Sequence, residues 1–380
     1  MERNSIAIVA AHFYPHLGGV EQYVYHIADG LRKSGYQPTI ITSSVSGQPA
    51  EELYKGIPVY RIPSFWILQN EFPIPTIRGF FITRRIFRKL APSTLITNTR
   101  YFPIHVTAIF ALGNQKSHHI HIEHGSKPLV FQGALTSFFA QLYDSLFGKW
   151  VVHHADKRFG VSRAVMSFIQ RQFHCTVQGI LTNAVDQSFA SKRSGDDRMN
   201  ENVQAVVFGY LGRLIEEKGV LLLIRAFKNA FANSTSTQLH PKLIICGSGP
   251  LRDEVSQEVS GNDDIEFIGS LEATRIQHFY NHIDVLCLPT WYPEGFSTVL
   301  LEASIFGKYI ITTTAGSAEE IVLNRQFGKL VNQRSMQSLC EALCLASKEI
   351  PPGYFNAALQ QHVLRHFTWE STVKKLIHEL

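Results

Sequence analysis

Residues 285–303 read VLCLPTWYPEGFSTVLLEA. The first four are apolar without a break and stop at Pro289, which marks a short strand buried on both faces, as in a parallel sheet. A turn carrying Glu294 and Gly295 follows, and a helix is expected over residues 298–306. Strand, tight turn and helix make one βα unit, and the same alternation runs outward from it in both directions. Toward the C-terminus a further strand is expected at 309–312. Toward the N-terminus, strands are expected at 206–210, 242–246 and 265–268, with helices at 219–232, 250–259 and 274–281. Before residue 186 a separate series gives strands at 6–10, 39–42, 94–97 and 120–123 and helices at 19–34, 76–90 and 133–154. Two such series imply two α/β domains with parallel sheets, and 380 residues suffice for two. The polar stretch SKRSGDDRMNEN, residues 191–202, is the expected linker.

The bulk properties narrow the class. With 45% hydrophobic and 18% charged residues, the chain has apolar mass for two cores. No apolar run approaches the roughly 20 residues that span a bilayer, and the N-terminal run is too short for a signal peptide. A cytoplasmic protein, soluble or peripheral, is expected. Five cysteines with no C-x-x-C argue against a disulfide framework. Cys340 and Cys344, one helical turn apart, read as core thiols. The net charge of +5 is uneven: residues 1–185 carry twice as many basic as acidic residues, and residues 186–380 have an acidic excess. A basic half suggests that one domain meets an anionic surface.

Four turns carry the chemistry. Gly295, Phe296 and Ser297 open a helix, so their backbone N–H groups suit a phosphate. Glu302 lies eight residues beyond Glu294, on the order of 10 Å along a helix. That exceeds the roughly 5–9.5 Å of glycosidase acid/base pairs. It suits two acceptors gripping opposite ends of one extended ligand, sugar hydroxyls at Glu294 and ribose hydroxyls at Glu302. GRLIEEKG, residues 212–219, follows the strand at 206–210. Arg213 and Lys218 there are two cations suited to a diphosphate; a solvated charged turn is the plainer alternative. Residues 246–250, CGSGP, permit close backbone approach to a ligand at Gly247 or form a tight loop. Gly18 and Gly19, in PHLGGVE at 15–21, open a helix after the first strand. They serve either an anion or only the turn.

Taken in register, these segments resemble glycosyltransferase family 4. Residues 15–21 are similar to P-x-x-G-G-x-E, 161–165 (VSRAV) to V-S-x-x-V, and 183–186 (NAVD) with Phe189 to N-G-V-D…F. Residues 212–219 are similar to G-R-L-x-x-E-K-G, 247–250 to G-x-G-P, Glu294–Glu302 to E-x7-E, and 367–369 (FTW) to F-s-W before a last helix. Ala184 replaces one glycine of the pattern. Ser317 replaces another, in the family's G-G-x-x-E (residues 316–320). The resemblance implies a GT-B fold, two Rossmann-like domains with parallel sheets facing across a cleft. The domains would be an acceptor domain at 1–186, a donor domain at 203–365, and a helix at 366–380 returning to the first. It implies a retaining transfer from a nucleoside-diphosphate sugar, with no metal and no cofactor. Arg213 and Lys218 would neutralise the leaving diphosphate. His124 falls where the family places a histidine facing the reacting sugar.

The run HHIHIEH, residues 118–124, invites a metal assignment. Strand alternation turns His119, His121 and Glu123 away from His118 and His124, so none is expected. Residues 72–122 contain no Asp or Glu. On the helix expected there, Phe80, Ile82, Ile86, Phe87 and Leu90 share one arc, and Arg78, Arg84, Arg85, Arg88 and Lys89 the other. The basic arc is either solvated or a contact with an anionic membrane on the inner face of the cell, which would suit a lipid-linked acceptor. A glycan is the alternative acceptor. No nucleic-acid module is present, and the dinucleotide fingerprint of an oxidoreductase is missing. A GT-B sugar-nucleotide epimerase and a non-catalytic nucleotide-sugar binder are the competing functions.

Overall fold

The computed structural model describes residues 4–16, 18–67, 72–128, 133–187, 205–232 and 240–380. Leu17, Phe189 and the stretch 191–202 lie outside the described residues. The chain forms two compact units, Met1–Asn183 with Trp369–Leu380, and Ala184–Thr368.

The first unit is built on β1 (Ser5–Val9), β2 (Gln37–Ser43), β3 (Glu51–Tyr54) and β4 (Ile57–Ile62). A short hairpin, β5 (Ser64–Ile67) and β6 (Phe72–Pro75), follows, then β7 (Thr94–Asn98), β8 (His118–Glu123), β9 (Lys157–Gly160) and β10 (Gly179–Ile180). The main sheet runs β10-β9-β8-β7-β1-β2-β4-β3. It is parallel except for the edge pair of β3 with β4. β1 and β7 are buried along nearly their whole length because both faces are covered. The strand order reverses between β1 and β7, and open α/β sheets bind ligands beyond the carboxyl ends of strands at such a switch. The helix Trp369–Ile377 packs on the helix Gly19–Lys33, with Val373 against Gly30 and the Trp369 ring stacked 4.4 Å from His26.

The second unit has one sheet of six parallel strands: β11 (Val207–Leu211), β12 (Lys242–Cys246), β13 (Ile265–Gly269), β14 (Val285–Leu288), β15 (Tyr309–Thr313) and β16 (Gly328–Val331). Their order is β13-β12-β11-β14-β15-β16, so the switch lies between β11 and β14. The VLCL run is β14, every residue buried, within a core that also takes in Phe208, Ile245, Leu300 and Ile310.

One expected helix is broken, and the others of the two series differ from their expected bounds by one or two residues at an end. The one expected at 133–154 is a helix Ala134–Tyr143, a π turn Asp144–Gly148, and a second helix Lys149–His154. The wide turn falls where Asp144 points inward to Arg100 and Gly148 packs against the Asp144 carboxylate, leaving no room for a Cβ. The helices expected at 250–259 and 274–281 begin at Arg252 and Ile276, the second after a 3-10 turn.

Candidate active site

In the second unit the loops after β11 and β14 are bonded to each other at the switch. The Glu217 carbonyl accepts from Thr290 Oγ1 (3.0 Å), Trp291 N (2.8 Å) and Tyr292 N (3.1 Å). Gly219, at φ +74°, lies against the Pro289 carbonyl with no space for a Cβ, so the turn after Lys218 requires glycine. These contacts bring Lys218 Nζ onto the Glu294 carboxylate, both largely buried, with Nζ 5.3 Å from the centre of the Tyr292 ring. Burial, and then the charge of Arg213, pushes the Lys218 amine down to about 8; the Glu294 carboxylate opposes that shift. Arg213, two residues beyond β11, is exposed.

The loop after β12 joins the same cluster. Leu214 N donates to the Ser248 carbonyl (2.8 Å) and Leu251 N to the Leu214 carbonyl (3.0 Å). Gly247, at φ +152°, is pressed against the Gly212 carbonyl. Its backbone approach therefore serves the neighbouring loop. On the other side, Gly316 brings the loop after β15 against Glu294, where a Cβ would stand 3.0 Å from the Glu294 carbonyl.

The helix start at residues 295–297 departs from the sequence reading in one respect. Ser297 N donates to Ser317 Oγ at 3.2 Å, and both residues are buried. Two of the three N–H groups expected to face a phosphate, those of Gly295 and Phe296, remain candidates. The hydroxyl that replaces a glycine of the family pattern engages the third. Within the helix Thr298–Ile305, Glu302 Oε2 accepts from the buried Tyr280 hydroxyl at 2.9 Å. Burial raises the Glu302 carboxyl to about 7, and the Tyr280 bond only partly offsets this.

In the first unit His124 stands at the switch between β1 and β7. Asn98, the last residue of β7, donates from Nδ2 to the Val9 carbonyl (3.3 Å), which turns its Oδ1 toward His124 Nε2 (3.2 Å). His124 Nε2 therefore carries the proton, and Nδ1 is left as an acceptor. The Tyr23 ring meets the imidazole edge-on at 4.7 Å. Burial lowers His124 to about 4, so the ring is neutral at physiological pH. Its backbone is fixed by Glu123, whose Oε1 accepts from His124 N (2.9 Å) and Gly125 N (2.7 Å). Glu123 is fully buried against Arg100, whose charge holds its carboxyl well below the ordinary range despite burial. His119 and His121 share that buried face, both within 2.9 Å of Thr97 Oγ1.

At the helix start of Gly18 and Gly19, a carboxylate of the chain lies on the first glycine, and the space beside Gly19 is open. The Glu21 carboxylate folds back onto Gly18, leaving no room for a Cβ, and pairs with His16 Nδ1 at 3.2 Å. His16 lowers the Glu21 carboxyl against the opposing effect of burial. The first-turn position of this helix already holds a carboxylate of the chain.

On the helix Ile77–Leu90, Ile86 and Phe87 are buried, and Phe80, Ile82 and Leu90 pack on the same core. Arg78, Arg84, Arg85, Arg88 and Lys89 are exposed, with Ile77 and Phe81 exposed among them. Arg84 and Arg88 also line a cavity of about 530 Å³ with Leu112 and Lys116.

Comparison with known proteins assigns this architecture. Residues 17–188 match the family model described as Glycosyltransferase Family 4, and residues 193–349 the one described as Glycosyl transferases group 1. The chain belongs to glycosyltransferase family 4. It is similar to an uncharacterised glycosyltransferase of Methanocaldococcus jannaschii, 24% identical over 99% of this chain and 97% of that one. It is also similar to the GPI3 subunit of phosphatidylinositol N-acetylglucosaminyltransferase from Saccharomyces cerevisiae, 23% identical over 98% of this chain and 82% of that one. Among solved structures, the Anabaena protein HepE in complex with UDP-glucose superposes with a TM-score of 0.70, at 17% identity, over 99% of this chain and 100% of that one. The fold of this glycosyltransferase is GT-B.

Of the residues that orient the glycosyltransferase's candidate side chains, Tyr280 and Asn98 were not singled out in the sequence. Tyr280 under Glu302, Asn98 beside His124 and Ser317 on Ser297 N each come from another element of the fold. Ser317 alone left a signal, as the position where a family glycine is replaced.

Proposed function

We propose that this glycosyltransferase moves a sugar, with retention at the anomeric carbon, from a nucleoside-diphosphate sugar to a glycan or lipid-linked acceptor. The setting would be synthesis of a cell-surface polysaccharide or glycolipid on the inner face of the cell membrane. The observation that carries this reading is the joining of Lys218 to Glu294 at the switch point, beside exposed Arg213. The anomeric C–O bond to the diphosphate breaks, and the electron pair leaves on the phosphate oxygen. Arg213 and Lys218 supply positive charge for that oxygen. The acceptor hydroxyl forms the new C–O bond on the same face and gives its proton to the departing phosphate. Glu294 grips sugar hydroxyls and Glu302 the ribose hydroxyls, while neutral His124 offers Nδ1 as an acceptor for a hydroxyl. The HepE structure holds UDP-glucose, and the yeast relative is named for phosphatidylinositol; these favour a nucleotide sugar and a lipid acceptor.

The test is turnover of radiolabelled UDP-, GDP- and ADP-sugars with and without a lipid extract. Label entering the organic phase supports the proposal. Donor isomerised without acceptor would mean an epimerase, and donor bound but unchanged a sensor.

A further inference from the structure

The helix Ala134–Tyr143 and the π turn Asp144–Gly148 are amphipathic in an inverted sense. A helix on a soluble protein normally turns its large apolar stripe to the core. Here the buried positions are Ala140, Asp144 and Gly148, four residues apart. They are small or polar, and Asp144 is held by Arg100 at 2.6 Å. The large side chains face outward: Leu135, Phe138, Phe139, Leu142, Leu146 and Phe147 are each between 44% and 71% exposed. An exposed patch of this kind on a folded domain marks an interaction surface.

The charges around it choose the partner. Between residues 72 and 155 the only acidic residues are Glu123 and Asp144, and both are buried on Arg100. Every exposed full charge in that span is therefore a cation: Arg78, Arg84, Arg85, Arg88 and Lys89 on one helix, with Lys116, Lys127 and Lys149 beyond. The helices are neighbours, since Ile77–Leu90 packs on Pro103–Leu112, whose Phe110 ring stacks at 5.1 Å on Trp150 of Lys149–His154. A second copy of this chain would bring like charge against like charge. An anionic bilayer takes apolar side chains between its acyl chains and cations at its head groups.

We infer that the ridge from Leu135 to Phe147 inserts into the surface of an anionic membrane and anchors the first unit there. Arg100 is a positioning residue, because its pairs with Glu123 and Asp144 remove the acidic charges from the surface and hold the ridge outward. The inference deepens the lipid-acceptor reading and rests on that reading only for its purpose.

The experiment is co-sedimentation of the full chain with vesicles of phosphatidylcholine and phosphatidylglycerol, beside vesicles of phosphatidylcholine alone. The parent should sediment with the anionic vesicles at moderate salt. Phe138→Ser, Phe139→Ser, Leu142→Ser and Leu146→Ser together should weaken that binding by at least roughly tenfold, with an unchanged melting curve because all four side chains are exposed. In a separate Phe139→Trp variant, brominated acyl chains should quench more fluorescence than they do in the parent. Equal sedimentation of the four-site variant and parent, or no added quenching, overturns the inference. So does a vesicle-free dimer of the parent that the four substitutions dissolve, which would make the occupant a second copy. Turnover of a water-soluble glycan with none of a lipid would sink the lipid acceptor and leave the sedimentation result standing.

Discussion

The two units share an architecture and differ in what they do with it. Each is a parallel sheet whose strand order reverses once. In the second unit the chemistry-bearing residues gather in the loops at that reversal, bonded loop to loop through Glu217, Leu214 and Ser317. Among the described residues, three of its large apolar side chains are exposed, Ile268, Leu323 and Leu345. The first unit has a sparser switch point, His124 on Asn98, and, among the described residues, the other exposed large apolar side chains, of which Ile77 and Phe81 lie among the cations of one helix. The difference teaches that a sheet's switch point and its outer helices can carry separate functions. The proposed division gives the nucleotide to one unit and the lipid surface to the other.

The sharpest way to break that division is at the leaving-group charge. Lys218→Ala and Arg213→Ala should each lower kcat by about 10²–10³ and leave vesicle binding unchanged. Rates read beside melting curves check this. Activity that falls only in step with lost folded protein would make both residues structural.

The reciprocal variant acts on the first unit. Arg84→Gln, Arg85→Gln and Arg88→Gln together should weaken binding to anionic vesicles, since each surface cation contributes about 1 kcal/mol there before screening. Nucleotide affinity should not move. Co-sedimentation at low and moderate salt reads the first quantity and calorimetry the second. A variant that binds vesicles like the parent would make this helix a solvated face.

A smaller effect is expected in the pH dependence of nucleotide binding. The Glu302 carboxyl is raised to about 7. Its contribution to folding is thus full below the ordinary carboxylate range and is lost as pH rises through 7. Ribose hydroxyls donate best to the charged form, so affinity should rise through that same value. The Lys218 amine is lowered to about 8; its cation is lost above that, and affinity should fall. A profile peaking between the two is expected in a titration series. Glu302→Gln should remove the acid limb alone, and a flat parent profile would separate both groups from the ligand.

Much of the frame was legible in the sequence because buried parallel strands are continuous apolar runs. The VLCL strand coincides with its expected bounds, and Ile86 and Phe87 lie on the expected inner arc. The outward ridge was not legible. Leu135 to Phe147 has the spacing of an ordinary core-facing helix. Only the placement of Asp144 on Arg100, 44 residues apart in sequence, shows which face is inside. The site was legible as residue types and not as partners. Gly18 and Gly19 mark a helix start, but nothing local indicates that Glu21 turns back onto Gly18. Likewise Glu302 stands out by spacing, whereas its raised carboxyl depends on burial and on Tyr280, from a different helix.

The central claim, that the second unit's loop cluster holds the nucleotide, is tested most directly by calorimetric titration of UDP, GDP and ADP into the parent and into Glu302→Ala. One of the three should bind the parent saturably. The substitution should weaken it by roughly 1.5–3 kcal/mol, as loss of a charged acceptor for the ribose hydroxyls requires. Equal affinity in parent and variant, or binding of none of the three, would contradict the account.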